Sequence, residues 1–172
     1  MRLDNILKGI EILETTGNLD MDIADVTSDS RQCSEGCLFI AIDGFESDGH
    51  AYIRKAAEAG ACAAVYSKPE AASEIASLGI TGIRVADSRT AAADIAGNFF
   101  GHPSRQLNLA GVTGTNGKTT IATLLYRIFS DMGYCCGLLS TIANYVCKDR
   151  FETTNTTQDP ITVNRLLRMM VD

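Results

Sequence analysis

Leu107-Asn108-Leu109-Ala110-Gly111-Val112-Thr113-Gly114-Thr115-Asn116-Gly117-Lys118-Thr119-Thr120 is the stretch on which the reading of this chain turns. An apolar run leads into a glycine-rich loop. Helical periodicity follows, with Ile121, Leu124, Leu125, Ile128 and Met132 on one face. Strand, glycine loop and helix in that order form a phosphate-binding loop. The glycines let the backbone turn tightly, so that successive N–H groups converge on an anion at a helix N-terminus. Lys118 adds a point charge for the outer phosphates, and the hydroxyl of Thr119 is placed to ligate Mg²⁺. The spacing departs from G-x-x-x-x-G-K-[ST]. Val112 stands where that pattern has glycine, and Gly114 supplies an inner one instead. Without its Gly-Lys-Thr-Thr ending the stretch would read as an ordinary strand-to-helix turn.

Upstream, strands and helices alternate. A short helix is expected over Leu3–Gly9 and a half-buried strand over Ile23–Val26. Cys37–Ile42 is a continuous apolar run suited to a strand buried on both faces, and it empties into a polar loop, Asp43 to Gly49. Helix over Tyr52–Ala59, strand over Cys62–Tyr66, helix from Pro69 to Leu78 and strand over Ile80–Ala86 follow. Asp87-Ser88 then caps a helix reaching Phe99 or Phe100. Gly101-His102-Pro103-Ser104 breaks the pattern and sets a domain boundary, with one domain over residues 1–101 and another beginning at 102–172. After the loop helix, a strand is expected over Cys135–Ser140. A hairpin pairs Tyr145–Cys147 with Phe151–Thr153, and a final helix opens at Pro160. The fold class is therefore α/β: a small N-terminal α/β domain, then the start of a phosphate-loop, parallel-sheet domain. About two strands and two helices follow the loop, too few to cover both faces of such a sheet, so uncovered apolar surface and a continuation beyond Asp172 are expected.

Apolar residues make up 45% of the 172, enough for a buried core. No leading apolar segment resembles a signal peptide, and no window approaches the run of about 18 apolar residues that spans a membrane. A cytoplasmic protein with no membrane partner is the expectation. The net charge of −6 and the absence of a basic stripe argue against nucleic acid, so any attraction for phosphate must be local. Six cysteines lack paired C-x-x-C spacing and only two histidines accompany them. They read as buried free thiols, with metal binding at Cys33 and Cys37 an outside alternative.

Three further clusters carry polar chemistry. Asp29-Ser30-Arg31 offers hydroxyl and guanidinium donors to an anionic or uracil-like ligand. The loop Gly44-Phe45-Glu46-Ser47-Asp48-Gly49-His50 leaves a strand's C-terminal end, where α/β proteins place ligands. Asn155-Thr156-Thr157 follows the hairpin. Each alone reads more naturally as a turn or cap. Taken in order, Asp29-Ser30-Arg31, Gly36-Cys37-Leu38-Phe39-Ile40-Ala41, Asp48-Gly49-His50 and Gly60-Ala61 resemble the N-terminal domain of Mur ligases. Gly114-Thr115-Asn116-Gly117-Lys118-Thr119-Thr120 and Asn155-Thr156-Thr157 resemble the central domain of the branch that adds the third amino acid of the peptidoglycan precursor. The resemblance runs from about residue 20 to the end. Gln158 stands where the family usually has proline after Asn-Thr-Thr, a change of loop stiffness more than of chemistry. The sister ligase that adds D-alanyl-D-alanine has a Gly-Ser-x-Gly-Lys-Thr loop and no Asn-Thr-Thr. Cyanophycin synthetases share the loop but not the N-terminal domain.

The resemblance implies a peptide ligase in which ATP phosphorylates the carboxylate of UDP-N-acetylmuramoyl-L-alanyl-D-glutamate and an amine attacks the acyl phosphate. The amine belongs to meso-diaminopimelate or L-lysine. Gly114, Thr115, Asn116, Gly117, Lys118, Thr119 and Thr120 are implied to hold ATP, with Lys118 catalytic and Thr119 on Mg²⁺. Ser30, Phe45, Glu46 and Ser47 are implied to hold the uridine diphosphate end, and Asn155, Thr156 and Thr157 the muramoyl-peptide side. A carbamylated lysine, further metal ligands and the amino-acid-recognising domain are expected beyond residue 172, so these residues alone should form no peptide bond. Two other readings stand beside this one: a non-catalytic UDP-sugar-binding or regulatory module, and a generic phosphate-loop kinase or NTPase.

Overall fold

In the computed structural model, which describes residues 1–44, 47–153 and 158–172, the chain divides into two units, Met1–Phe99 and Phe100–Asp172. The first is built on a five-stranded sheet of order β1-β5-β4-β3-β2. Its strands are β1 Ile12–Thr16, β2 Asp25–Thr27, β3 Cys37–Ile40, β4 Ala61–Tyr66 and β5 Thr81–Val85. β2 to β5 run parallel, registered through Val26↔Leu38, Phe39↔Ala64 and Val65↔Ile83. Only β1 is antiparallel, along the outer edge of β5.

The apolar run of β3 explains this arrangement. All four of its residues are fully buried, as are Ala63, Ala64, Val65 and Tyr66 of β4, so both faces of the sheet must be covered. On one face Cys37, Phe39, Ala64 and Tyr66 pack with Ile53 and Ala56 of α2 (Ile53–Glu58) and Ile75 of α3 (Ala71–Leu78). Leu38, Ile40 and Val65, of opposite parity, are equally buried. Helices α1 (Leu3–Ile6) and α4 (Ser88–Phe99) pack together, burying Leu3, Ile6, Ala92 and Ile95, and Asn98 Nδ2 donates to the carbonyls of Ile6 and Lys8. Asp87 caps α4 as its sequence suggests, accepting from Arg89 N at 2.8 Å and Thr90 Oγ1 at 2.7 Å.

The second unit contains α5 (Lys118–Asp131), a three-stranded antiparallel sheet of order β6-β7-β8, and α6 (Pro160–Val171). The strands are β6 Gly137–Leu138, β7 Ala143–Val146 and β8 Asp149–Glu152. Leu138, Ala143, Val146, Ile161, Leu166 and Leu167 form its buried apolar set. Asp159 caps α6, its carboxylate accepting from Ile161 N and Thr162 N at 3.0 Å, with Pro160 in the first turn. In α5 no residue is buried, and Ile121, Leu124, Ile128 and Phe129 stay about half exposed. That is the uncovered apolar surface the element count anticipates.

Several expectations need correction. β1 carried no recognisable pattern, because an edge strand with three central exposed residues shows no alternation. Leu107–Ala110 is not a strand: among the described residues it pairs with nothing, and Leu109 is 59% exposed. The hairpin turn lies at Cys147-Lys148, with Val146 facing Asp149, and Cys147 takes a positive φ of 52°. The cysteines are not a set of buried free thiols. Cys135 and Cys147 form a disulfide, Cys37 is buried, and Cys33, Cys62 and Cys136 are partly exposed. Cys33 and Cys37 lie 3.4 Å apart through sulfur, and no group of three or more metal-ligating side chains is found among the described residues. Nor is any described helix long and apolar enough to cross a membrane.

Gly49, where the loop after β3 turns into the next helical segment, donates its N–H to Ile42 O at 2.8 Å. A Cβ there would sit 2.6 Å from that same oxygen and 2.7 Å from Ile42 N, both backbone atoms that cannot swing aside. Gly49→Ala is therefore expected to lower stability by about 1–3 kcal/mol, the usual cost of overpacking. Urea unfolding followed by circular dichroism measures it; an unchanged midpoint would show that the loop yields freely.

Candidate functional site

Because β2 to β5 are parallel, their C-terminal ends share one edge of the first unit, and the polar loops leave from it. After β2, Asp29 caps a single 3₁₀ turn, Ser30–Gln32, by accepting from Arg31 N. Arg31 folds back on the same carboxylate, Nε to Oδ1 at 2.9 Å and Nη2 to Oδ2 at 2.7 Å. The Arg31 guanidinium holds the Asp29 carboxyl below the usual range. Arg31 is thus committed to its neighbour, contrary to the guanidinium donor expected of this cluster. Ser30 is buried within this turn.

After β3 comes the loop Asp43–Asp48. Asp43 and Asp48 face each other as an antiparallel bridge, and Gly44 N donates to Ser47 O at 3.1 Å. Ser47 is exposed; Phe45 and Glu46 lie outside the described residues, as do Asn155, Thr156 and Thr157. The base of the loop is tied to the turn after β4. His50 is 7% exposed, and its Nδ1 lies 2.7 Å from Asp48 Oδ1. Its Nε2 accepts from Ser67 N at 3.0 Å and Lys68 N at 3.3 Å. Backbone amides only donate, so the ring proton sits on Nδ1 and points at Asp48. Lys68 Nζ lies 2.8 Å from Asp48 Oδ2 and 3.0 Å from Asp43 Oδ2. The first turn of α4 contributes Arg89 Nη2, which donates to Asp43 O at 2.8 Å. Lys68 foremost, with help from His50, holds the Asp48 carboxyl far below the usual range. The sequence flagged Asp48-Gly49-His50 but gave no sign of Lys68. A lysine two residues past a strand acquires meaning only when strand order sets it beside the loop.

In the second unit, Gly117 opens α5 with φ +79° and ψ −4°, a left-handed conformation that favours glycine. It has no side chain to cap the helix. The first intrahelical amide of α5 to find a carbonyl is Ile121 N, on Gly117 O. Among the described residues, the N–H groups of Lys118, Thr119 and Thr120 therefore have no partner at the positive end of a 14-residue helix. Gly114 adopts φ +148°, and Lys118 Nζ curls back to Gly114 O at 2.5 Å and Thr115 O at 3.2 Å. Gly114 to Lys118 are exposed and Thr119 is half-buried, its hydroxyl without a partner. These donors fit a nucleoside triphosphate: amides and an ammonium for phosphate, a hydroxyl for Mg²⁺. Two clefts lie elsewhere. One of about 420 Å³ is lined by Tyr126, Tyr134 and Lys148, another of about 300 Å³ by Glu11, Asp87 and Asp94, and neither holds a residue expected in a site.

A mixed sheet with its loops gathered at one edge, and a separate unit in which a glycine loop feeds a helix N-terminus, define an α/β protein. Two family models match the chain, Mur ligase family, catalytic domain, over residues 22–100 and Mur ligase middle domain over residues 112–172. The chain belongs to the Mur ligase family. It is 51% identical over 172 residues to the UDP-N-acetylmuramoyl-L-alanyl-D-glutamate--2,6-diaminopimelate ligase of Bacteroides fragilis and 40% identical to that of Clostridioides difficile. The whole chain is covered in both cases but only 35% and 34% of those proteins, so it spans about a third of their length. Among solved structures, a UDP-N-acetylmuramoyl-L-alanyl-D-glutamate--2,6-diaminopimelate ligase matches with a TM-score of 0.68 at 21% identity, over 99% of this chain and 33% of that one. MurF from Acinetobacter baumannii matches at 0.59 and 23% identity, over 98% and 32%. Both likenesses are of fold.

The lowered Asp48 pKa carries a sign. A carboxylate whose folded pKa lies below its unfolded value of about 3.9 stabilises the fold above that value, and the contribution is lost as pH falls through the folded pKa. Asp48→Asn is expected to lower the melting temperature at pH 7. Below pH 4 the gap between variant and parent should shrink as the parent's own Asp48 becomes protonated. Melting curves from pH 7 to pH 2 test this; a gap that stays constant to pH 2 would remove Asp48 from the acid response.

Proposed function

We propose that the chain is part of an ATP-dependent ligase that joins 2,6-diaminopimelate to UDP-N-acetylmuramoyl-L-alanyl-D-glutamate in cytoplasmic peptidoglycan precursor synthesis. The observation that carries the reading is the bare N-terminus of α5, with three unpaired amides beside Lys118 and Thr119. Similarity of the whole chain to ligases of that name supports this reaction, and those names favour diaminopimelate over lysine. In this reading ATP supplies the phosphoryl group that activates the substrate carboxylate, and the amine then displaces phosphate to form the amide. Gly114, Thr115, Asn116, Gly117 and Thr120 line the phosphates, and Lys118 leaves its carbonyl contacts to meet them. Thr119 turns its hydroxyl to Mg²⁺. Such fixed donors matter because they stabilise charge on the transferred group without reorganising. Ser30 and the loop bearing Phe45, Glu46 and Ser47 receive the uridine diphosphate end. Asn155, Thr156 and Thr157 receive the muramoyl-peptide side. Residues 1–101 act as the substrate-binding domain and residues 102–172 as the beginning of the ATP-binding one.

Calorimetric titration of the 172-residue chain with ATP·Mg²⁺ and with UDP-N-acetylmuramoyl-L-alanyl-D-glutamate tests the reading. Both are expected to bind. Lys118→Ala should weaken ATP at least about tenfold, the loss of one charge-assisted contact. It should leave the melting temperature unchanged, since the side chain is exposed and touches only loop carbonyls. Uridine-substrate binding without ATP binding in the parent would favour a non-catalytic UDP-sugar module instead.

A further inference from the structure

We propose that Cys33 and Cys37 form a modification site, a dithiol that a low-molecular-weight disulfide converts reversibly into an intramolecular disulfide. The inference goes beyond the ligase reading and does not depend on it. Its basis is the short crossover from β2 to β3. After the 3₁₀ turn Ser30–Gln32 the chain reverses through Ser34-Glu35-Gly36, with Cys37 N donating to Ser34 O at 3.1 Å and Gly36 at φ +78°. The reversal brings the two sulfurs to 3.4 Å. A disulfide holds its sulfurs about 2.05 Å apart, so about 1.3 Å of approach remains, a distance that side-chain rotation covers. The main chain fixes this reversal on both sides. Gly36 N donates to Gly60 O at 3.0 Å, Ala24 N donates to Gly36 O at 2.9 Å, and a Cβ on Gly60 would meet Glu35 N at 2.7 Å. The pair is therefore held together by the fold.

The two thiols are unlike, and the difference assigns their roles. Cys33 is partly exposed, so a reagent in solution reaches it, whereas Cys37 is fully buried with Phe39, Ile53 and Ala56. The hydrogen bond with Cys33 holds the Cys37 thiol below its ordinary range, and the same contact pushes the Cys33 thiol up. Exchange runs in two steps. The Cys33 thiolate attacks the small disulfide, forming a mixed disulfide and releasing one thiol. The Cys37 thiolate then attacks the Cys33 sulfur, closing the protein disulfide and releasing the second thiol. The protein gives up two electrons and two protons, which reduce one small disulfide to two thiols; excess thiol drives the steps backward. With the outer thiol raised and the inner one lowered, encounter is slow and closure fast, so the mixed disulfide does not accumulate. Cys62 stays outside the couple: its thiol donates to Cys37 O at 3.6 Å, and burial pushes its pKa up.

Trypsin cuts after Arg31 and Arg54, releasing residues 32–54 as one peptide that holds Cys33 and Cys37 and no other cysteine. The 172-residue chain is incubated with oxidised glutathione, quenched in denaturant with iodoacetamide, digested and weighed. The parent peptide is expected to lose two hydrogens and take up no alkyl group. Excess reduced glutathione added before the quench should restore both alkylation sites. Cys37→Ala should stop with glutathione on Cys33, and Cys33→Ala should leave Cys37 free of glutathione. A parent peptide that still takes two alkyl groups overturns the proposal, and that result needs no variant to fold. Glutathione retained on Cys33 in the parent overturns the closing step. Glutathione on Cys37 in Cys33→Ala, with circular dichroism and melting temperature like the parent's, overturns the roles assigned by burial.

Discussion

Burial of β3 and β4 on both faces is the constraint from which the rest of the first unit follows. Strands of this kind need cover above and below, and parallel pairing with intervening helices supplies it. Parallel pairing in turn sends every strand's C-terminal end to the same edge. Ser30, the Asp43–Asp48 loop, Ser67-Lys68 and Arg89 follow four different strands. They sit on one edge because Leu38, Phe39 and Val65 must stay dry. The polar chemistry of this edge is thus placed by residues of the buried core. Gly49 is where the two demands touch: the loop can be brought down onto Ile42 only where there is no Cβ.

At its glycine loop the second unit presents backbone more than side-chain donors. Gly117 turns the chain into α5 and forgoes a capping side chain, leaving amides that a serine or aspartate would have satisfied. The Lys118 side chain meanwhile donates to the loop's own carbonyls, those of Gly114 and Thr115. Tyr126, whose hydroxyl meets Cys147 O and whose ring lies against Tyr145, ties the middle of α5 to the hairpin. The apolar stripe through Leu124 and Ile128 faces no partner among the described residues.

Much of this was legible in the sequence, and the misses share a cause. β3, β4, α4, α5 and α6 announced themselves through apolar runs or caps, signals that live within a few residues. β1 did not, because Ile12–Thr16 becomes a strand only through β5 beside it. Leu107–Ala110 looked like a strand and is unpaired, for the converse reason: a β run without a neighbour is only extended chain. The Cys135–Cys147 disulfide joins positions twelve residues apart, and only the fold of the hairpin brings them together. At the sites, the glycine loop was readable because its function is local. The Lys68–Asp43–Asp48–His50 closure was not, since it spans the ends of two strands.

At a net charge of −6, any anion site in this chain needs fixed local donors, and the two units differ in the donors they offer. In the first, the cations around the ligand edge are already committed: Arg31 to Asp29, Lys68 to Asp43 and Asp48, and Arg89 to the Asp43 carbonyl. Neutralised in this way, the edge presents little net positive charge from these three side chains. In the second, the helix terminus and an exposed lysine offer positive potential with little side-chain detail, suited to phosphate and indifferent to the base attached to it. Under the proposed function this difference has a use: the unit whose charges cancel is suited to selectivity, and the unit whose lysine charge stays exposed is suited to phosphate.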